Sequence, residues 1–338
     1  MKVLIIGVEQ VKKEERFMDE KGWSFRNAFE RLGVISENFF YKKKGRFAFI
    51  EKNKGIKNVW RSIMNRNLVS HVKRTAPDLL FISKGETITP EALWEIRKKT
   101  DTVIVTVFPD NPIYMGKFEA IEPCHHFFVK DTYVRDTLWK AGLKNVRYLP
   151  QCTDPDVHRP VELAEDEKAE YRTDVSLIGS MYPYRLKFIE ELLDFNPVLW
   201  GKGWSRSGSQ KILQLYRGRD IRGNQKTKAI CGTKISLNPH HPLNDICGVN
   251  RRTYDLAACK GFQLADYKRD MKDLLKINEE IVCFRTIDEL KKLIRFYLSH
   301  PDERKQLAEA AYQRVLKNHT YYHRACEILD IIKNNTPT

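Results

Sequence analysis

Apolar and polar positions in this chain alternate with the rhythm of short strands and amphipathic helices. Residues 1–7 (Met-Lys-Val-Leu-Ile-Ile-Gly) form an apolar run closed by glycine, which reads as a buried parallel strand. Trp23, Phe25, Ala28, Phe29 and Leu32 recur at helical spacing, and Gly33 stops that helix. The unit then repeats. Residues 79–83 are a strand introduced by Pro77-Asp78, Pro90 opens a helix through Lys99, and residues 102–108 are a β-branched strand. Residues 127–129, 131–141 and 146–149 continue as strand, helix and strand.

The rhythm breaks between residues 152 and 170, where two prolines and an acidic stretch without a core pattern read as an interdomain linker. It restarts at residues 174–180, a strand running into a Gly-Ser turn, followed by a helix over 184–193 and a strand over 198–201. Residues 235–237, 263–265 and 281–284 read as later strands, and 288–300, 302–317 and 321–333 as helices. Strands alternating with helices imply parallel, doubly wound sheets. The expected organisation is an N-terminal Rossmann-like α/β domain over 1–152, a linker over 153–170 and a second α/β domain over 171–320. A C-terminal helix and tail over 321–338 is expected to cross back to the first domain.

Length agrees, since 338 residues correspond to about two domains. The opening apolar run is too short for a signal-peptide core, and no stretch approaches the ~20 apolar residues that span a bilayer. Seven scattered cysteines without a CxxC pair read as reduced thiols of a cytoplasmic protein, and no zinc site is apparent. His125-His126 and His240-His241 lack acidic or cysteine companions at ligand spacing, so no metal residues are assigned.

Charge sharpens the picture. Lys and Arg number 59 against 44 acids, a net +15 that calls for an anionic partner. Residues 36–76 hold eleven basic residues against two acids, and residues 201–228 hold eight against one, so these two segments contain the whole excess. The first also carries Phe39, Phe40, Tyr41, Phe47, Phe49 and Trp60 among its lysines. Aromatics between cations suit single-stranded nucleic acid or an anionic membrane face. Nothing there matches a nucleic-acid module, and a solvated loop and helix face is the plainer reading.

Candidate chemistry gathers in the second half. In residues 248–261 a glycine turn with two arginines leads into a helix. Its N-terminus at Thr253 offers N–H groups for phosphate, Arg251 or Arg252 adds a charge-assisted contact, and Asp255 is placed to accept from ribose hydroxyls. A capped surface helix with solvated arginines is the competing reading. Gly179-Ser180, with Tyr182 and Arg185 behind them, form a strand-turn-helix junction where a ligand can approach the backbone. In the Gly201-Lys202-Gly203-Trp204 loop, Lys202 can face phosphate and Trp204 can stack on a base or cover the core. Asn238 and Asn250 complete the candidate donor-binding set.

These blocks also carry a resemblance. "KISLN", "GVNRRTYDLAACKGFQLADY", "EEIVCFRTIDELKKLIRFYLSHPDER" and "NHTYYHRACEILDII", spread over about 170–332, resemble the CgeB-like (spore maturation protein-like) glycosyltransferase family. "APDLLFISKGETITP" and "YLPQCTDPDVHRP" are similar to its usual N-terminal companion. The resemblance implies a GT-B fold, two Rossmann-like domains facing across a cleft, with a nucleotide-sugar donor in the C-terminal domain and the acceptor facing the N-terminal one. It implies metal-independent transfer of a sugar from a UDP- or dTDP-linked donor. No cofactor is expected beyond that co-substrate, and basic side chains stabilise the leaving diphosphate. Asp255 matches the second of two glutamates that retaining GT-B enzymes place eight positions apart. Cys247 stands at the first position, with Asp245 two residues earlier, which puts a retaining outcome in doubt.

An inverting reaction needs a general base in the N-terminal domain. Asp110, in Phe108-Pro109-Asp110-Asn111-Pro112, ends a strand on a rigid loop, and Glu86, after Ser83-Lys84-Gly85, ends another. The acceptor is open among glycan, protein and lipid-linked molecules, with peripheral contact at the inner membrane face as one expectation and nucleic acid disfavoured. The alternatives are a non-catalytic nucleotide-sugar binding protein and a nucleic-acid-binding protein using the basic segments.

Overall fold

The computed structural model describes residues 1–12, 15–18, 20–44 and 54–334. The chain divides into two units: the first comprises Met1–Pro150, Leu243–Ile246 and Tyr321–Thr338, the second Gln151–Pro242 and Cys247–Thr320. Arg46, Phe47, Phe49 and Lys52 of the basic 36–76 segment lie outside the described residues.

Among the described residues, the first unit holds strands β1 (Lys2–Lys12), β2 (Glu15–Met18), β3 (Ile35–Lys44), β4 (Leu79–Ser83), β5 (Val103–Phe108), β6 (His126–Val129) and β7 (Val146–Tyr148). β1 pairs in parallel with β3 on one side and β4 on the other, and β5, β6 and β7 continue in parallel. β2 pairs antiparallel with the carboxyl end of β1. The central position of β1 explains its unbroken apolar run, since Val3, Leu4, Ile5 and Ile6 are all fully buried. Helices α1 (Glu20–Arg31), α2 (Lys54–Thr75), α3 (Pro90–Lys99) and α4 (Thr132–Lys140) connect these strands. α3 starts where Thr89 accepts from the amide of Ala92, with Pro90 in the first turn, and Asp131 caps α4. On α1 the core face is Phe25, Ala28 and Phe29, whereas Trp23 is exposed. Phe39 and Trp60 pack against the core, so these two aromatics do not stand out among the lysines as the basic segment suggested.

The second unit holds β8 (Thr173–Ile178), β9 (Val198–Trp200), β10 (Thr233–Asn238), β11 (Gln263–Asp266) and β12 (Val282–Phe284), parallel in the order β12-β11-β10-β8-β9. Its helices are α5 (Glu165–Tyr171), α6 (Pro183–Glu190), α7 (Gln210–Leu215), α8 (Gly223–Cys231), α9 (Arg252–Ala258), α10 (Met271–Leu274), α11 (Ile287–Ser299) and α12 (Pro301–Asn318). The stretch expected as a linker is not irregular throughout. Residues 151–170 belong to the second unit, and Glu165, Asp166 and Glu167 form the acidic first turn of α5, where negative charge suits a helix N-terminus.

The last helix, α13 (Tyr321–Asn334), returns to the first unit. Tyr321 meets Phe25 edge-on at 4.8 Å, and the buried Arg324 donates to the carbonyl of Pro150 at 2.7 Å. All seven cysteines are free thiols. Among the described residues, no helix is long and apolar enough to cross a membrane.

Candidate functional site

In the second unit the turns after β8 and β9 run side by side. The amide of Gly179 donates to the carbonyl of Trp200 at 2.7 Å and that of Met181 to the carbonyl of Lys202 at 2.8 Å. Gly201, at φ +136°, must be glycine because a Cβ would lie 2.2 Å from the carbonyl oxygen of Gly179. Trp204 is fully buried and donates its indole N–H to that same carbonyl at 2.9 Å. Trp204 therefore supports the turn from the core and is not the stacking surface the sequence suggested. Lys202 and Tyr182 remain exposed, with Tyr182 stacked on Tyr184 at 6.0 Å and meeting His241 edge-on at 5.0 Å.

Two guanidinium groups converge on this turn. A Cβ on Gly179 would lie 2.6 Å from Nη1 of Arg252 and 3.0 Å from Nη1 of Arg185. Arg185, buried at the start of α6, donates to the carbonyl of Ser180 at 2.5 Å and to the Tyr184 hydroxyl at 2.8 Å. Arg252 donates to the carbonyls of Ile178 and Pro239 and, at 2.9 Å, to Oδ1 of Asn238. Asn238 is fully buried and spends its amide on Thr253 and Gln263, so it positions Arg252 and has no room for a ligand.

The start of α9 differs from the expectation of open amides. The Thr253 N–H already meets both the carbonyl and the side-chain Oδ1 of Asn250 at 3.2 Å, and Asn250 donates in turn to Asn238 at 3.0 Å. Asn250 thus satisfies an amide in the first turn of a seven-residue helix that Arg251 caps. The neighbouring arginines part company, because adjacent helical residues point in different directions. Arg252 turns to Gly179, while Arg251 turns inward to Asp255 at 3.3 Å.

Asp255 was expected at the ribose, yet its side chain is only 1% exposed. Its oxygens accept from Thr153 at 2.7 Å and from Lys226 at 2.5 Å, with Nε2 of His158 at 3.5 Å. Burial pushes this carboxyl up, but Arg251, Lys226 and His158 together hold it far below its ordinary value. Burial is the largest influence on His158 and lowers its pKa, while the Asp255 charge pulls it back up. The cage closes around Asp255 and leaves no open acceptor for a sugar hydroxyl.

Lys226 belongs to the basic 201–228 segment, and others of that segment are also spent internally: Lys228 pairs with Glu167, Arg219 with Glu170 and Arg222 with Asp220. The sequence reading also passed over Asp266. His240 is buried and bonds Asp266 through Nδ1 at 2.6 Å; burial raises that carboxyl, but His240 and Lys268 bring it down to about 2.

In the first unit, Asp110 and its alternative Glu86 are joined through Lys84, a residue the sequence did not single out. Lys84 Nζ lies 2.8 Å from Glu86 and 2.9 Å from Asp110, and each of the three side chains is about a third exposed. Lys84 holds φ +68°, an uncommon conformation for a side-chain-bearing residue, directly before Gly85 at φ +65°. Burial pushes Asp110 up, but Lys84, with Lys21 and Lys130, holds it below its ordinary value. Lys84 is raised in turn: burial lowers it, and its two acids more than compensate. Beside this trio lies a cavity of about 70 Å³ lined by Lys84, Glu86, Arg61, Thr106, Phe108 and Phe127, among others. Asp245, noted for its place before Cys247, is buried against Lys130 in this same unit.

Comparison with known proteins agrees with this architecture. The chain has the GT-B glycosyltransferase fold. It superposes on sucrose-phosphate synthase from Thermosynechococcus elongatus with a TM-score of 0.67 and 11% identity, over 98% of each chain. Against Anabaena HepE in complex with UDP-glucose the TM-score is 0.63 at 10% identity, over 99% of this chain and 100% of that one. In sequence, the family described as "Glycosyl transferase-like" matches residues 185–330. The Spore protein CgeB of Bacillus subtilis (strain 168) is 24% identical over 262 residues, covering 72% of this chain and 80% of that protein. The likeness to CgeB read from the sequence is borne out, and sequence and fold together support a glycosyl-transfer enzyme.

Proposed function

We propose that the protein transfers a hexose from a nucleotide-diphosphate sugar, UDP- or dTDP-linked, and that the diphosphate lies at Gly179 between Arg185 and Arg252. One observation carries the reading. Two guanidinium groups meet at a glycine turn on the carboxyl edge of a parallel sheet, where ligands of open α/β sheets gather and where the missing Cβ leaves room for both groups. Preorganised positive charge at that point stabilises the diphosphate as the sugar–oxygen bond breaks, so transfer proceeds without a metal ion. The UDP-glucose bound by HepE, which shares the fold, favours UDP.

Tyr182 and Lys202, the exposed groups of the same turns, face the rest of the donor. Asp110 takes the proton of the acceptor hydroxyl, and Glu86 shares Lys84 with it.

The test is a thermal-shift panel of UDP, dTDP, ADP and GDP and their hexose conjugates in EDTA, followed by assays of donor hydrolysis and transfer. A rise in melting temperature with one nucleoside diphosphate, together with turnover in EDTA, is expected. Binding without turnover would instead support a nucleotide-sugar binding protein, a reading motivated by Cys247 in place of the glutamate. No shift with any nucleotide overturns the donor site.

A further inference from the structure

α2 has two apolar faces, and only one of them meets the core. Met64, Leu68, Val69 and Val72 pack into the first unit, with Trp60 at the edge. On the outward side of its amino-terminal half, Ile56, Val59 and Ile63 follow at spacings of three and four and are 45%, 61% and 43% exposed. Isolated exposed aliphatics are ordinary, but three in one stripe are a surface. The helix that presents them carries Lys54, Lys57, Arg61, Arg66, Lys73 and Arg74 and no acid in its 22 residues.

We propose that this face of α2 docks the first unit on an anionic lipid bilayer, with Ile56, Val59 and Ile63 seated at the acyl boundary and the exposed Arg66 and Arg74 among the headgroups. The chemistry favours lipid over nucleic acid. Base stacking needs exposed π-faces, and here the outward residues are branched aliphatics while Trp60 is turned to the core. The helix has no acid to repel a negative leaflet, and Arg66 and Arg74 are exposed on the side of the stripe. Arg61, between Val59 and Ile63, donates to the carbonyl of Thr87 at 3.1 Å, and Asn65 holds both that carbonyl and the amide of Thr89 at 2.9 Å. These bonds hold α2 by the side opposite the stripe and leave the stripe outward. The inference does not depend on the nucleotide-sugar reading, since it concerns a different face and needs no donor.

The experiment is vesicle flotation of the full chain at low salt. One set of vesicles is pure phosphatidylcholine, and the other contains about a third phosphatidylglycerol. The wild type is expected to float with the anionic vesicles at least about tenfold more than with the neutral ones, and to be released by salt. Val59→Glu with Ile63→Glu should lower that partition by about tenfold or more. Val59→Ser with Ile63→Ser keeps the charge and should also weaken it, which separates insertion from attraction alone. Unfolding midpoints near wild type for the serine pair exclude loss of fold. The proposal is overturned if the wild type fails to float with anionic vesicles. It is equally overturned if the serine pair floats as well as wild type, or if the protein binds single-stranded RNA and neither vesicle.

Discussion

Each unit holds a cluster in which carboxylate meets lysine, and the two are built in opposite proportion. In the first unit one cation, Lys84, lies between two acids, Glu86 and Asp110, with each side chain about a third exposed. In the second unit one acid, Asp255, lies among Lys226, Arg251, His158 and Thr153 and is almost sealed from solvent. In both, neighbouring cations hold a carboxyl below its ordinary value. Charge alone does not decide what such a group is for. Asp255 has its oxygens occupied and sits in the interior, so its charge balances cations that would otherwise be stranded. Asp110 keeps a wet face, and its neighbours Lys84 and Glu86 line a cavity, so it can meet a substrate.

The sharpest way to break this contrast is to remove Asp255. Asp255→Ala strands Lys226 and Arg251, both mostly buried, and should cost about 3–5 kcal/mol in urea unfolding. Asp255→Asn keeps an acceptor for Thr153 and should cost less. A cost below about 1 kcal/mol for the alanine variant would mean that the cage is loose and Asp255 is open to a ligand after all.

Asp110 should behave in the reverse way. Asp110→Asn is expected to leave the unfolding midpoint near wild type and to lower turnover by about 100-fold or more, with nucleotide affinity unchanged. Glu86→Gln should lower turnover by about tenfold or less. If Asp110→Asn retains full turnover in a transfer assay, the base lies elsewhere. A smaller effect separates the adjacent arginines of α9. Arg252→Lys keeps a charge but loses the fork that spans Asn238 and two carbonyls, and should weaken nucleoside diphosphate binding by about tenfold. Arg251→Lys should leave that affinity intact, because Arg251 faces Asp255. Equal losses in titration calorimetry would join the two residues in one function.

Elements with a one-sided pattern were legible in the chain. The strand at 79–83 and the helix at 90–99 have apolar runs bounded by proline and capping chemistry, and both form at those bounds. α2 was not legible as a 22-residue helix, because aliphatic residues on both faces, with lysines between them, erase the periodic stripe. α5 hid behind its acids, which read as linker although they suit a first turn. In the candidate site, Gly179 and Arg185 followed from a glycine turn at a strand end. The separation of Arg251 from Arg252 did not, since it depends on what each side of α9 meets. The partners of Asp255 are distant in the chain: Lys226 is 29 residues away and Thr153 is 102. No local spacing signals such a cage.

The finest test concerns Lys84, which ties the exposed cluster together. Asp110 is held low, so whatever its ionised form contributes to stability is present above its unfolded value and is lost as pH falls through its lower folded value. The same sense applies to catalysis. A base must be ionised, so the acid limb of kcat/KM follows the folded Asp110 value. Lys84→Gln removes the largest cause that lowers Asp110, while burial continues to push the carboxyl up. The acid limb should therefore move to higher pH, with the plateau at alkaline pH reduced far less than in Asp110→Asn. Lys226→Gln, which loosens the buried cage instead, should leave that limb where it is and lower the unfolding midpoint. If both variants move the limb equally, the titration reports general destabilisation and the exposed cluster has no special claim to the chemistry. If only Lys84→Gln moves it, the wet carboxylate is the one that titrates with activity.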